Sequence, residues 1–197
     1  MTSMIEQQLF SKKIPGIGTI SIRPIQLKKD ITTVFKWITQ PYAKYWGMLE
    51  FTQDELYEAY NTIEKNPYHH TYIGMLNDEP IFLMERYKVT EDGLASHYPA
   101  QLNDYGMHIL VAPAQKRIPQ FTWHVFSTVM EYFFSLPYVN RVVVEPDVNN
   151  SKIHVLNKRA GFIYEKEIQL PHKIAALAIC TKENFQKALQ NKHETNI

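Results

Sequence analysis

The chain has one cysteine, Cys180, among its 197 residues. A lone thiol cannot close an internal disulfide, which suits a reducing compartment, and a cytoplasmic location is expected. A surplus of one charge is also missing. Lys and Arg number 21 against 20 Asp and Glu, for a formal net charge of +1. That balance offers no footing for nucleic acid or an anionic membrane surface. No apolar run approaches the roughly 20 residues that cross a bilayer. The opening residues MTSMIEQQLFSKK lack the apolar core of a secretion signal. No repeat, low-complexity tract or linker breaks the sequence. One domain over 1–197 is therefore expected, with 1–17 either poorly ordered or an additional strand.

What is present is ordinary for a globular enzyme-sized domain. Hydrophobic residues make up 45% and charged residues 21%, enough of each for a core and a wet surface. Aromatic residues reach 13%, compatible with an aromatic-lined pocket or simply a large aromatic core. TISIRPI (19–25) alternates with period two and reads as a strand. In DITTVFKWIT (30–39), Ile31, Val34, Phe35 and Ile38 fall at helical spacing, Asp30 is placed to cap, and Pro41 ends the helix. TQDELYEAYNTIEKN (52–66) is a second helix, with Thr52 and Glu55 in a capping-box pattern. Strands follow at 70–76 and 80–87 around an Asn77-Asp78 turn. DYGMHILV is another strand, 119–136 is a helix with a wide apolar face, and RVVVEPD reads as a strand buried on both faces. NNSKIHVLNKRAGF is a helix that stops at Gly161. Two strands, FIYEKEIQL and KIAALAICT, and a helix at 182–191 complete the chain. This order predicts an α+β fold around one mixed sheet.

The element order, with NSKIHVLNKRAGF near the end, resembles the GNAT family of acyl-CoA-dependent N-acyltransferases. Four shorter stretches resemble its siderophore branch: WITQPYAKYW, with Trp37, Pro41 and Trp46; Glu85-Arg86-Tyr87; DYGMHIL; and VEPDVNN. The resemblance implies a single GNAT domain, a mixed central sheet flanked by helices. It implies acetyl-CoA or another short acyl-CoA as co-substrate, and a small hydroxylated amine as acceptor. The expected product is a hydroxamate of the kind siderophores use to hold iron. No nucleic acid, membrane or metal is expected as a partner, and the protein is expected to be a monomer or homodimer. Two other readings stand beside this one. One is a GNAT enzyme of another small amine, such as a polyamine or aminoglycoside. The other is a catalytically silent GNAT-like binding module.

His108 sits in an apolar strand, where a hydrogen-bonded core histidine is the plain alternative to a functional one. An amine attacking a thioester must shed a proton, and a ring that titrates near neutrality suits that step. The resemblance makes His108 the base. It puts Asp147 in the active site, although a turn residue ahead of VNN is the simpler reading of Asp147. It makes Trp37, Trp46, Glu85, Tyr87 and Asp104 candidates for the acceptor site, against core packing for the tryptophans and a solvated strand end for Glu85. The carboxylates Glu85, Asp104 and Asp147, with few cations nearby, favour a hydroxylated diamine over hydroxylysine. His69-His70 has no third ligand at useful spacing for a metal. Cys180 reads as a buried small residue.

The family binds the pyrophosphate of CoA on a glycine-rich turn before a helix, where exposed N–H groups hold the charge. Here the turn is QKRIPQFT. Arg117 matches the first position, but Gln120 and Thr122 replace small residues and Pro119 removes a donor. Lys116 and Arg117 can supply charge instead. Leu110, Phe121 and Asn150 complete the expected cofactor contacts. Many relatives carry a tyrosine acid four residues before the terminal glycine; this chain has Asn157 there.

Overall fold

The computed structural model describes residues 8–113 and 118–194. The chain folds as two compact units, Met1–Arg86 with His108–Val125, and Tyr87–Met107 with Phe126–Ile197.

The first unit begins with β1 (Phe10–Ile14) and β2 (Gly18–Pro24), followed by α1 (Leu27–Ile38), a 3₁₀ turn (Pro41–Trp46) and α2 (Gln53–Glu64). Next come β3 (His69–Leu76) and β4 (Glu79–Lys88) as far as Arg86, then the outgoing half of β5 (Asp104–Val111) and the start of α3 (Phe121–Ser135). Strand order is β1-β2-β3-β4-β5. β1 is the additional N-terminal strand, antiparallel to β2. Val34, Trp37, Ile38, Leu56, Tyr60, Ile73, Leu83 and Leu110 form one buried cluster. The apolar faces of α1 and α2 thus cover the sheet, the main stabilising term for such helices.

The cap of α1 differs from expectation. The helix starts at Leu27 with Gln26 as N-cap, and Gln26 makes no side-chain cap bond. Asp30, one turn in, accepts the Gln26 N–H at 2.7 Å and pairs through both oxygens with Arg23 at 2.7 and 2.8 Å. A buried ion pair to β2, not local capping, fixes where Asp30 points. The capping box on α2 forms as expected between Thr52 and Glu55.

The second unit holds the end of β4, two short 3₁₀ turns (Val89–Glu91 and Gly93–His97), the incoming half of β5 and most of α3. β6 (Arg141–Val144), α4 (Ser151–Arg159), β7 (Ile163–Leu170), β8 (Lys173–Thr181) and α5 (Lys182–Glu194) follow. Its strand order is β4-β5-β6-β8-β7. β5 and β6 are parallel, with Asp104, Tyr105 and Gly106 opposite Arg141, Val142 and Val143. β8 is antiparallel to β6 and β7. The sheet is therefore mixed and flanked by helices, as the element order predicts. β6 is shorter than RVVVEPD suggests: Pro146 has no N–H for a ladder, and Asp147 rejoins only through an isolated bridge to Ala175. Gly161 ends α4 at φ 89°, a conformation glycine adopts without strain. No helix among the described residues is long and apolar enough to cross a membrane.

Candidate active site

In the first unit, three adjacent strands bring together Glu85 of β4, His108 of β5 and His69 of β3. Strand geometry puts alternate side chains on one face, so each ring is committed to a side. His108 Nδ1 lies 3.0 Å from Glu85 Oε2, and His69 Nε2 lies 3.3 Å from the same oxygen. The Glu85 side chain is 6% exposed, that of His108 38%. An ionised carboxylate only accepts, so Nδ1 of His108 must carry the hydrogen. In the neutral ring the lone pair is then on Nε2. Burial alone would push the Glu85 carboxyl up. Hydrogen bonds from His108 and His69 reverse this and bring it down to about 2. Glu85 therefore stays ionised throughout the range in which a histidine titrates.

Two aromatic residues complete the cluster. The Trp46 ring meets His108 edge-on, with centroids 6.2 Å apart. Its indole N–H donates to the Tyr60 hydroxyl at 3.1 Å. Tyr60, fully buried on α2, hydrogen-bonds Glu85 in turn. Burial and the Glu85 charge push its phenol well above the usual value, so it remains a donor. Trp37, a candidate with Trp46 for the acceptor site, takes the core-packing alternative with Val34, Leu56 and Leu110, the cluster against which Trp46 also packs. The Leu110 side chain is in that core too, so any cofactor role falls to its backbone.

Glu85 thus differs from its expected part as a substrate carboxylate: it is buried and directed at imidazoles. Asp104, in the second unit, is corrected more sharply. It is 0% exposed and lies opposite Arg141 in the parallel register. Arg141 Nε and Nη2 both reach it at 2.6 Å, Tyr98 donates at 2.7 Å and the Gln101 N–H at 2.8 Å. Although burial opposes it, the Arg141 hydrogen bonds hold this carboxyl below the usual range. Asp104 is a structural anchor. The charge count that favours a diamine acceptor loses two of its three carboxylates.

Tyr87 is likewise buried, and its hydroxyl donates to Glu145 at 3.1 Å. Its ring lies over Gly106: a Cβ added there would fall 1.9 Å from the Tyr87 ring. Glu145, absent from the expected site, also lies 3.7 Å from Lys173 Nζ. Asp147 Oδ1 accepts the backbone and side-chain N–H of Asn149 at 2.8 and 3.0 Å, the turn that the simpler reading anticipates. The Asp147 carbonyl lies 3.1 Å from His154 Nε2, and His154 Nδ1 lies 2.6 Å from the Tyr164 hydroxyl. Asn157 Nδ2 donates to the same hydroxyl at 3.1 Å, so a tyrosine from β7 stands beside the position where many relatives carry their acid. Asn150 occupies the N-cap position of α4 without a side-chain cap bond.

Of the expected cofactor residues, Lys116 and Arg117 lie outside the described residues. Gln120 and Thr122 are exposed, and Phe121 opens α3. Gln120 has φ 54°, the left-handed conformation a glycine would take without cost. One residue of the turn thus takes a backbone conformation usual for glycine. Burial pushes the Cys180 thiol up to about 12, which makes it a poor nucleophile. Among the described residues no His, Cys, Asp or Glu cluster is arranged to hold a metal ion.

The sequence reading leaves Tyr60 and Glu145 out of the site and considers His69 only with His70 as a metal pair. The Asn77-Asp78 turn was the available signal for His69, because it folds the far end of β4 back beside the start of β3.

Residues 26–170, which run through both units, match the family described as acetyltransferase (GNAT) domain. An N-hydroxyputrescine acetyltransferase of Acinetobacter baumannii is 24% identical over 176 residues, covering 89% of this chain and 84% of that protein. An N(6)-hydroxylysine O-acetyltransferase of Escherichia coli is 26% identical over 171 residues, covering 84% of this chain and 53% of that one. The chain spans about half the length of two of the curated relatives it matches. Among solved structures, an uncharacterized protein from Bacillus halodurans superimposes with a TM-score of 0.86 at 25% identity, over 95% of this chain and 97% of that one. With the family matched over most of its length and the fold shared end to end, the chain belongs to the GNAT acetyltransferase family.

Proposed function

We propose that this protein moves a short acyl group from acyl-CoA to the nitrogen of an N-hydroxylated amine, forming a hydroxamate in siderophore biosynthesis, with His108 as the base. The observation that carries the reading is the 3.0 Å contact between His108 Nδ1 and the buried Glu85 carboxylate, on a ring that is itself half-exposed. It fixes one tautomer, puts the lone pair on Nε2 and provides a negative charge to offset the proton that arrives there. The acceptor nitrogen attacks the thioester carbonyl, the C–N bond forms and the C–S bond breaks. The nitrogen's proton passes to His108 Nε2, and CoA leaves as a thiolate that takes a proton from His108 or water. A hydroxylamine nitrogen is less basic than an alkyl amine, so more of it is neutral and able to attack near pH 7. Binding supplies the remaining rate enhancement by holding the two substrates together.

Asp147 is proposed to meet the acceptor's cationic end. Gln120, Phe121, Thr122 and Asn150, with Lys116 and Arg117, are proposed to hold the cofactor, and Trp46 to line the acceptor side of His108. The relatives acting on N-hydroxyputrescine and N(6)-hydroxylysine support the acceptor class. A thiol-release assay with acetyl-CoA tests the reading against hydroxyputrescine, hydroxycadaverine, hydroxylysine, the unhydroxylated amines and an aminoglycoside. Turnover is expected on the N-hydroxy amines, and His108→Ala should lower it about 100-fold or more in a folded protein. Turnover confined to plain amines, or unaffected by His108→Ala, would reject the reading.

A further inference from the structure

We propose that His69 is a positioning residue for His108: by sharing Glu85 Oε2 it limits how strongly that carboxylate supports a proton on His108. This rests on the reading of His108 as the base. Nothing in the motifs points to His69, whose pairing with His70 raises at most a metal reading, and no such cluster occurs among the described residues.

Two imidazoles converge on one oxygen, at 3.0 and 3.3 Å. A carboxylate buried beside a single histidine would stabilise the imidazolium strongly. The stronger that support, the larger the fraction of rings already protonated near neutral pH and unable to take a proton. A second donor on the same oxygen withdraws part of that support. His69 does so in either of its states: neutral, it donates Nε2–H; protonated, it adds a compensating charge. Its side chain is 20% exposed, so it is sheltered but not sealed from water. Tyr60 approaches Glu85 from α2, and burial together with the Glu85 charge keeps it protonated. His70, the next residue along β3, faces Arg86 and Glu64, and burial with the Arg86 charge lowers its pKa. Trp46 brings only a ring edge to His108. Among these groups, only His69 and His108 are imidazoles bonded to Glu85.

The test follows the His108 Cε1–H resonance through a pH titration by NMR, which reads the ring whether or not a variant turns over. His69→Phe removes the donor and should raise the His108 midpoint by about 0.5 pH unit or more. His69→Asn, whose shorter amide cannot reach Glu85, should act in the same direction with less bulk. His69→Gln keeps an N–H donor and should leave the midpoint within about 0.2 pH unit of the parent. In activity, the acid limb of kcat/KM should move up with the midpoint in the Phe and Asn variants. The loss near neutral pH should then recover at higher pH, which a purely structural role for His69 would not produce. A midpoint that stays or falls in the Phe and Asn variants, or that rises in Gln as far as in Phe, overturns the proposal. The reading of His108 as base fails separately, if the parent's acid limb does not coincide with its His108 midpoint.

Discussion

Glu85 in the first unit and Asp104 in the second are both buried carboxylates held ionised by hydrogen bonds. Their partners separate them. Asp104 is gripped by Arg141, a guanidinium that never gives up its charge in a protein. Glu85 is gripped by two imidazoles, one of them half-exposed. The first arrangement can only hold; the second can take up and release a proton. Burial and a depressed pKa are common to both, so neither property marks a reactive site. On the proposed reading of His108 as the base, the titratability and exposure of the partner do.

The largest expected effect lies on the anchoring side. Asp104→Ala leaves Arg141 uncompensated and should destabilise the protein by about 3–5 kcal/mol in urea unfolding. Turnover per folded molecule should remain near the parent. A variant of normal stability and little activity would invert the comparison. On the reactive side, Glu85→Gln keeps the shape and should cost only about 1 kcal/mol of stability. It removes the charge that supports the imidazolium and allows the amide to favour the wrong tautomer, so kcat should fall about 100-fold. Equal loss of stability in the two variants, with kcat intact in Glu85→Gln, would erase the distinction.

Acid sharpens it further. The Glu85 pKa is depressed in the folded state, so its stabilising contribution is complete above the ordinary value of 4.5 and is lost as pH falls toward about 2. Thermal unfolding followed across that window should show the parent losing stability faster than Glu85→Gln, which retains no Glu85 carboxylate to protonate. Parallel curves would mean that Glu85 contributes nothing to acid sensitivity. The smallest effect concerns Gln120. Replacing it by glycine relieves the left-handed backbone but adds freedom to the unfolded chain, for a net gain of about 0.5 kcal/mol. A loss of stability would mean that the Gln120 side chain contributes more than its backbone costs.

Local physics made the elements legible. The capping box at Thr52 and Glu55, the period of α1 and the glycine stop of α4 follow from short-range rules. His108 stood out because an apolar strand has little use for a titratable ring. What could not be read was the identity of partners far apart in the chain. Glu85 and His69 are separated by 16 residues, and Glu85 and His108 by 23. Their meeting depends on which strands are neighbours and in which register. The same holds for Asp104, whose fate is decided by Arg141 standing opposite it 37 residues later. Asp30 shows this in miniature: its spacing fits a cap, and Arg23 on β2 redirects it.

The ring of Tyr87 over Gly106 constrains the order in which this sequence can change. With no room for a Cβ at Gly106 while Tyr87 is present, any side chain there must follow a reduction at position 87. Reduction at 87 removes the hydroxyl that donates to Glu145, a buried carboxylate that also contacts Lys173. A side chain at position 106 is therefore blocked by the state of position 87, whereas reduction at 87 can come first at the cost of that hydrogen bond. Two alignment columns that look independently conserved would be one coupled unit, and a homologue carrying alanine at the position of Gly106 should carry a smaller residue at the position of Tyr87.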